Sequence, residues 1–335
     1  MKTNIIHHSD FLNNDLPDKS VQLIIADPPY FEVKGEFDFI WKSFADYLID
    51  VEKWAVECKR VLADNGTLFW YGNSKKIAYS QVIIDKYFNL ESNVTIHIFD
   101  RQTNKIPTEE ARGFINTSER LLLYSNETIR TGLETIMEEH IWHQNPFGIE
   151  IKRARIENGL KRRAFAEAII ENYKNIDSAM AQISNWELGK NIPVINDWNI
   201  IISILPIRKE YDDLRKEYDD LRKEYEELRK EYEELRRPFN PIDKYKMDVL
   251  RFSQEGNITS NYDHDTPKPE KLTRALIQTC SRKNDIVLAP FSGSGTECAM
   301  AVKEGRRYIG YDIKKEYVEM AQKRCAIIEN QGRLF

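Results

Sequence analysis

Residues 21–30, Val-Gln-Leu-Ile-Ile-Ala-Asp-Pro-Pro-Tyr, constrain this chain more than any other stretch. An apolar run of strand type meets two consecutive prolines. Neither proline carries an N–H for a central ladder, so the strand must stop at Asp27 and the chain must turn. A carboxylate, backbone carbonyls and the Tyr30 ring are thereby gathered at the carboxyl end of a strand. In open α/β sheets this is where ligands bind.

The chain has 335 residues, enough for a full domain plus an insert. No apolar run is long enough to span a bilayer and no secretory segment follows Met1, so no membrane partner is expected. Cys58, Cys280, Cys298 and Cys325 are scattered, without a C-x-x-C pair. That argues against a disulfide framework or a zinc site and fits a reducing cytoplasm. The net charge of −5 is not that of a generally basic nucleic-acid binder. If DNA is the partner, positive charge must be concentrated locally.

Strand candidates at 4–7, 21–26, 67–71, 94–99 and 120–124 alternate with helical patterns at 41–62 and 75–87. In the first helix Phe44, Leu48, Val51, Trp54, Ala55, Cys58, Val61 and Leu62 share a face. Asp64-Asn65-Gly66 reads as a turn. The alternation predicts a doubly wound, mostly parallel α/β sheet with helices on both faces. The polar segment 101–118 is long for a compact domain, which favours a functional loop over a disordered surface excursion.

Near Thr131 the character changes, and 148–205 reads as all helical. Ile151-Lys152-x-x-Arg155, Phe165-Ala166-Glu167-Ala168 and Ile183-Ser184-Asn185-Trp186-Glu187-x-Gly189-Lys190 resemble a helix-turn-helix of the phage-repressor type. The connection 170–178 is longer than the usual tight turn. By that resemblance Gln182, Ser184 and Asn185 face the major groove. Lys152, Arg153, Arg155, Lys161, Arg162 and Arg163 form a basic cluster suited to phosphates of double-stranded DNA. The alternative is a helical insert with a solvated basic face. Residues 208–237 then repeat the heptad RKEYDDL/RKEYEEL, with Tyr at a and Leu at d. Favourable i,i+4 pairs support a rod of about 45 Å. It reads as a spacer or a homodimer handle. A further hypothesis is a helix whose length changes by whole repeats and so alters specificity.

In the C-terminal part an apolar strand at 285–290 runs into Phe291-Ser292-Gly293-Ser294-Gly295-Thr296 and a helix at about 297–304. Such a turn lets a ligand approach the backbone closely and presents helix N-terminal N–H groups. The next strand, 308–311, ends in Asp312, placed to accept hydrogen bonds from ribose hydroxyls. No Walker lysine is present, so this is not a P-loop.

The order of Asp27-Pro28-Pro29-Tyr30, then His264-Asp265-Thr266-Pro267-Lys268-Pro269, then Pro290 to Thr296, resembles the S-adenosylmethionine-dependent amino-methyltransferases of DNA, in the permuted β-group order. The resemblance covers roughly 4–126 and 263–328. It implies a Rossmann-like class I methyltransferase fold. The catalytic domain would be discontinuous (1–130 and 262–335). It would be interrupted by a target recognition region at 131–261, with the helix-turn-helix-like part at 148–207 and the heptad helix at 208–237.

The same resemblance implies that Asp27 and the Pro28 carbonyl accept the hydrogens of an exocyclic base amine, in the motif closed by Pro29 and Tyr30. Tyr30 would stack on the flipped base. The implied cofactor is S-adenosyl-L-methionine. Asp10 and Phe11 would border its adenine, Asp312 its ribose, and Thr266, Lys268 and Phe291, Ser292, Gly293, Ser294, Gly295 and Thr296 its methionine end, with Asp27 and Pro290 alongside. Asp10 as a helix cap and Lys268 as a surface lysine are the bland alternatives. One departure is Ala289, where the family usually has aspartate, which predicts weaker cofactor binding. Adenine N6 is the expected target. Cytosine N4 is the alternative within the class, and a catalytically silent DNA-binding regulator the alternative outside it.

Overall fold

The computed structural model describes residues 1–33, 38–98, 118–126, 143–241, 247–252 and 268–332. The chain divides into two compact units, Met1–Thr128 with Arg237–Phe335, and Ile129–Arg236.

The first unit is built on one eight-stranded sheet, in the order β1-β8-β7-β2-β3-β5-β4-β6. The strands are β1 (Ile5–His8), β2 (Val21–Ala26), β3 (Leu62–Asn73), β4 (Asn89–Ile98), β5 (Ser118–Ser125), β6 (Val249–Phe252), β7 (Ile286–Ala289) and β8 (Arg307–Asp312). All neighbours run parallel except β5, which is antiparallel to both β3 and β4. β2 and β7 lie side by side at the centre, Leu23 opposite Val287 and Ile24 opposite Leu288. Nearly every residue of these two strands is buried, as expected of parallel strands covered on both faces.

The helices of this unit are α1 (Phe44–Val61), α2 (Ile77–Ile84), α8 (Glu270–Cys280), α9 (Thr296–Lys303) and α10 (Lys315–Gly332). α1 starts at Phe44 rather than Trp41 because Ser43 caps it, its hydroxyl accepting from the Asp46 N–H at 3.1 Å. Its buried face is Tyr47, Val51, Trp54, Ala55, Cys58 and Val61. The expected turn at Asp64-Asn65-Gly66 is an irregularity inside β3, where Val21 faces Leu62 but Leu23 faces Thr67. The first unit reclaims the chain at Arg237, because β6 pairs with β4. The described residues of 237–252, expected with the insert, therefore belong to the first unit. Most of the 101–118 loop falls outside the described residues, as do His264 and Thr266.

The second unit is helical among its described residues. It comprises α3 (Pro146–Glu157), α4 (Arg162–Ala168), α5 (Ile176–Glu187), α6 (Ile195–Ile204) and α7 (Tyr211–Leu235). Phe147, Ile151, Phe165, Ile183, Trp186, Trp198, Ile201 and Leu214 form its core. Buried Asn145 caps α3 by accepting from the Phe147 N–H at 3.0 Å, and donates to the Gly189 carbonyl at 3.0 Å. A Cβ at Gly148 would stand 2.5 Å from the Trp186 carbonyl oxygen, so only glycine permits this approach of α3 to α5.

The heptad repeat meets two environments. Leu214 is fully buried, and Tyr211 and Tyr218 pack on the core of the same unit. Leu228, two repeats later, is 45% exposed. Near-identical units therefore play different parts, since Tyr211 at the start of α7 packs on Phe147 of α3 and Trp198 of α6.

Candidate active site

Asp27 follows the last residue of β2, and the prolines end the ladder there as the sequence requires. The Tyr30 hydroxyl donates to Asp27 Oδ1 at 2.8 Å. The Tyr30 N–H donates to the carboxylate of buried Asp38 at 2.5 Å, which ties the turn down from behind. The Tyr30 ring is thus oriented by its own motif before any base is present.

Lys268 is not a surface lysine. It is only 8% exposed, and its Nζ sits 3.0 Å from Asp27 Oδ1, 3.1 Å from Glu119 Oε2 and 3.2 Å from the Tyr30 hydroxyl. Its ammonium also lies 4.6 Å from the centre of the Tyr71 ring, a cation–π contact. The resemblance assigned Lys268 to the methionine end of the cofactor; the structure sets it on the Asp27 carboxylate. Burial works against this ammonium, but Asp27 and Glu119 outweigh it and hold its pKa well above the ordinary lysine value. Lys268 is therefore charged. Burial raises the Asp27 carboxyl, Lys268 pulls it back and Glu119 pushes it up again.

The glycine loop leaves β7 beside this corner. Gly293 and Gly295 have φ of 44° and 72°, in the left-handed region. A Cβ on Gly295 would come 2.5 Å from that of Ala321, so the loop lies flat on α10. The Asp312 carboxylate accepts from the Gly293 N–H and the Lys314 N–H, each at 2.9 Å. It fixes the loop to the end of β8.

Arg324 of α10 is 1% exposed and braces the loop from behind. It donates to Thr296 Oγ1 at 2.8 Å, to the Ser294 carbonyl at 3.3 Å and to Glu270 Oε1 at 2.7 Å. The Ser294 and Thr296 hydroxyls, expected on the cofactor, are thus occupied with each other and with Arg324. The backbone of the loop and the Ser292 hydroxyl are what remain for a ligand.

Glu297, the second residue of α9, is buried, and its Oε1 has no hydrogen-bond partner among the described residues. Ser292 Oγ and the Tyr71 hydroxyl are buried and unpartnered in the same sense. Burial, with Asp27 adding, pushes the Glu297 carboxyl up to about 7 from 4.5. A carboxyl raised on folding binds more protons in the native state, so stability falls as pH rises from about 4.5 to about 7. We expect Glu297→Gln to flatten that fall and to stabilise the protein at pH 8 by about 3 kcal/mol. Thermal melts of both proteins from pH 4.5 to 8 measure it, and parallel curves would refute it.

Phe11, which the resemblance sets beside the cofactor adenine, is fully buried and edge-on to Tyr311, with ring centres 5.7 Å apart. Asp10 caps the 3-10 turn Phe11–Asn13, accepting from the Leu12 N–H at 2.9 Å, which is the bland alternative. Phe291 packs on Trp54 at 4.9 Å, and Pro290 is buried. Ala289 is fully buried and brings no polar group.

The basic cluster of the second unit is largely paired internally. Arg155 and Arg162 both bond the buried carboxylate of Glu187, Arg162 at 2.7 Å. Arg153 bridges Glu150 and Glu157. Lys152, Lys161 and Arg163 are exposed, with Arg163 3.4 Å from Glu167. Gln182, Ser184 and Asn185 lie on α5, Gln182 within 3.5 Å of Asn191 and the other two half-buried. α4 and α5 are joined through the 3-10 turn Ile170–Asn172, not by a tight three-residue turn.

Sequence reasoning missed Glu119, Tyr71, Glu297 and Arg324. For Arg324 a signal existed, because Ala321 and Cys325 mark the same stripe of α10 as inward-facing. Glu119 carried none, since its place depends on β5 entering the sheet antiparallel.

The family model for DNA methylases of the N6/N4 methyltransferase type matches residues 21–323. The chain belongs to this DNA methylase family. Type II methyltransferase M.HinfI of Haemophilus influenzae is 25% identical over 355 residues, covering 98% of this chain and 72% of that protein. DNA adenine methyltransferase YhdJ of Escherichia coli is 24% identical, covering 96% and 82%. Among solved structures, the cytosine-N4-specific PvuII DNA methyltransferase superposes with a TM-score of 0.52 at 12% identity, covering 99% and 93%. TTHA0409, a DNA modification methylase from Thermus thermophilus, superposes at 0.51 and 15% identity in its complex with S-adenosyl-L-methionine, covering 97% and 93%. These likenesses establish the class I methyltransferase fold for the DNA methylase described here.

Proposed function

We propose that this DNA methylase transfers a methyl group from S-adenosyl-L-methionine to the N6 amine of an adenine flipped out of duplex DNA. The observation that carries the reading is one corner of the sheet. There the Asp27-Pro28-Pro29-Tyr30 turn at the end of β2 stands beside the glycine loop at the end of the adjacent β7.

The residues present fit the cofactor. The flat loop at Gly293 and Gly295 admits close approach, and the orphaned atoms of Ser292, Glu297 and Tyr71 suit a zwitterionic amino-acid group. When bound, the cofactor supplies a methyl group activated by a sulfonium. Asp312, fixed at the loop, would face the ribose. Asp27 and the Pro28 carbonyl would accept the two amine hydrogens and turn the nitrogen lone pair toward that methyl group. This is catalysis by positioning and by electrostatic stabilisation of developing positive charge on nitrogen. Tyr30, held by Asp27 and Asp38, offers the stacking face for the extruded base.

In the second unit, the exposed Lys152, Lys161 and Arg163 are proposed to contact phosphates, and Gln182, Ser184 and Asn185 of α5 to face the bases. Arg155 and Arg162 are assigned to hold the helices together instead, and Arg153 to brace its own helix α3.

Transfer of tritium from labelled cofactor to duplex DNA, followed by nucleoside mass spectrometry, tests the reading. N6-methyladenine is expected. N4-methylcytosine would overturn the choice of base, and no incorporation alongside sound DNA binding would favour a regulator. An acidic side chain restored at Ala289 is expected to tighten S-adenosylmethionine about tenfold, the worth of one charge-assisted hydrogen bond. Calorimetric titration of Ala289→Asp against the wild type measures this, and equal affinities would show the aspartate to be dispensable.

A further inference from the structure

We propose that Glu119 is a positioning residue of methyl transfer, which holds the Lys268 ammonium at Asp27 and retains it when the target amine claims the Asp27 carboxylate. The inference rests on the methyltransferase reading of the site and adds a residue to it.

Glu119 comes from β5, the strand that runs against the rest of the sheet, where it lies opposite Asn73 of β3 and Ile96 of β4. Its carboxylate therefore enters the corner from the far side of β3, while Asp27 enters from β2. Lys268 stands between them, 3.0 Å from one carboxylate and 3.1 Å from the other. An ammonium has three N–H donors. Here Asp27, Glu119 and the Tyr30 hydroxyl account for all three.

The same corner must receive the base. Asp27 Oδ1 already accepts from Tyr30 and from Lys268. An amine that donates to this same Oδ1 competes with both. A buried ammonium that lost its only counter-ion would resist displacement, because an unpaired buried charge is costly. Glu119 removes that obstacle: Lys268 gives up one contact and keeps an ion pair. Glu119 is 29% exposed at its side chain, so its own charge remains partly solvated. Two carboxylates against one ammonium also leave the corner net negative, which favours positive charge developing on the methylated nitrogen.

The test is Glu119→Gln, which keeps shape and removes charge. The ionisable groups around Asp27 are Tyr30 on its own turn, Tyr47 of α1, Tyr71 of β3, Glu119, Lys268 and Glu297 of α9. Only Glu119 changes. Its negative charge raises the Asp27 carboxyl, so its removal lets Asp27 ionise at lower pH. The acid limb of the kcat profile is therefore expected to move to lower pH, while kcat at pH 8 falls on the order of tenfold or more and KM for S-adenosylmethionine changes by less than about threefold. A fall in kcat with an unmoved acid limb would make Glu119 merely structural and overturn the proposal, as would unchanged kinetics. A wild-type protein that transfers no methyl group would instead overturn the underlying reading of the site. If Glu119→Gln shows no cooperative melt, Glu119→Asp replaces it. That variant keeps the charge one methylene farther from Lys268 and is expected to lower kcat with the acid limb near its wild-type position; full wild-type kcat would count against the proposal.

Discussion

Asp27→Ala is expected to lower methyl transfer by at least about 10²–10³-fold, the scale for losing a preorganised group that stabilises the transition state. The effect belongs to kcat, because the cofactor loop is held separately by Asp312 and Arg324. S-adenosylmethionine and DNA should still bind. Two losses combine in this variant. The target amine loses its acceptor, and the Tyr30 hydroxyl loses the partner that orients the ring. Lys268 keeps Glu119, so the corner does not collapse around an unpaired ammonium. Single-turnover transfer of tritium to duplex DNA, with calorimetric titration of cofactor alongside, separates the two effects. Retention of more than about a tenth of the wild-type rate would remove Asp27 from the chemistry.

Arg324→Ala is expected to destabilise the first unit by about 3–5 kcal/mol, the range for breaking a buried ion pair from one side. Arg324 links α10 to both the glycine loop and α8, through Thr296 and Ser294 on one side and Glu270 on the other. Without it the Ser294 and Thr296 hydroxyls lose their shared donor and the loop its brace. Cofactor affinity should fall together with stability. Chemical denaturation followed by the fluorescence of Trp54 and Trp70, which lie in the sheet unit, reads the first effect. Arg324→Lys keeps the charge but not the fork that reaches two partners, and is expected to recover only part of the loss. An unchanged denaturation midpoint for Arg324→Ala would refute the brace.

The central fold was legible because its signals are local. Prolines after an apolar strand, and glycines between a strand and a helix, dictate backbone geometry by themselves, and the structure sets Asp27 and the loop side by side. Pairings across the chain were not legible. Six basic residues close together in sequence read as a phosphate-binding patch, but Glu187 of another helix pairs with both Arg155 and Arg162. The contact of Phe11 with Tyr311 likewise depends on the 3-10 turn capped by Asp10 meeting the end of a distant strand. Lys268 was found by its motif, yet its partner Glu119 depends on an antiparallel strand that no periodicity announces. Local chemistry located the corner, and sheet topology decided what filled it.

The two environments of the heptad helix set a rule for how its length can vary. Leu214, Tyr211 and Tyr218 are committed to the core of their own unit, so the first copy and the start of the second are fixed. A copy gained or lost after Tyr218 disturbs none of them. Seven residues of α-helix advance the exit by about 10 Å, yet turn it by only about 20° short of two full turns. Were copies gained or lost there, the repeat would act as a ruler graduated in nearly phase-preserving steps, resetting a distance while almost conserving the direction in which the chain leaves the helix.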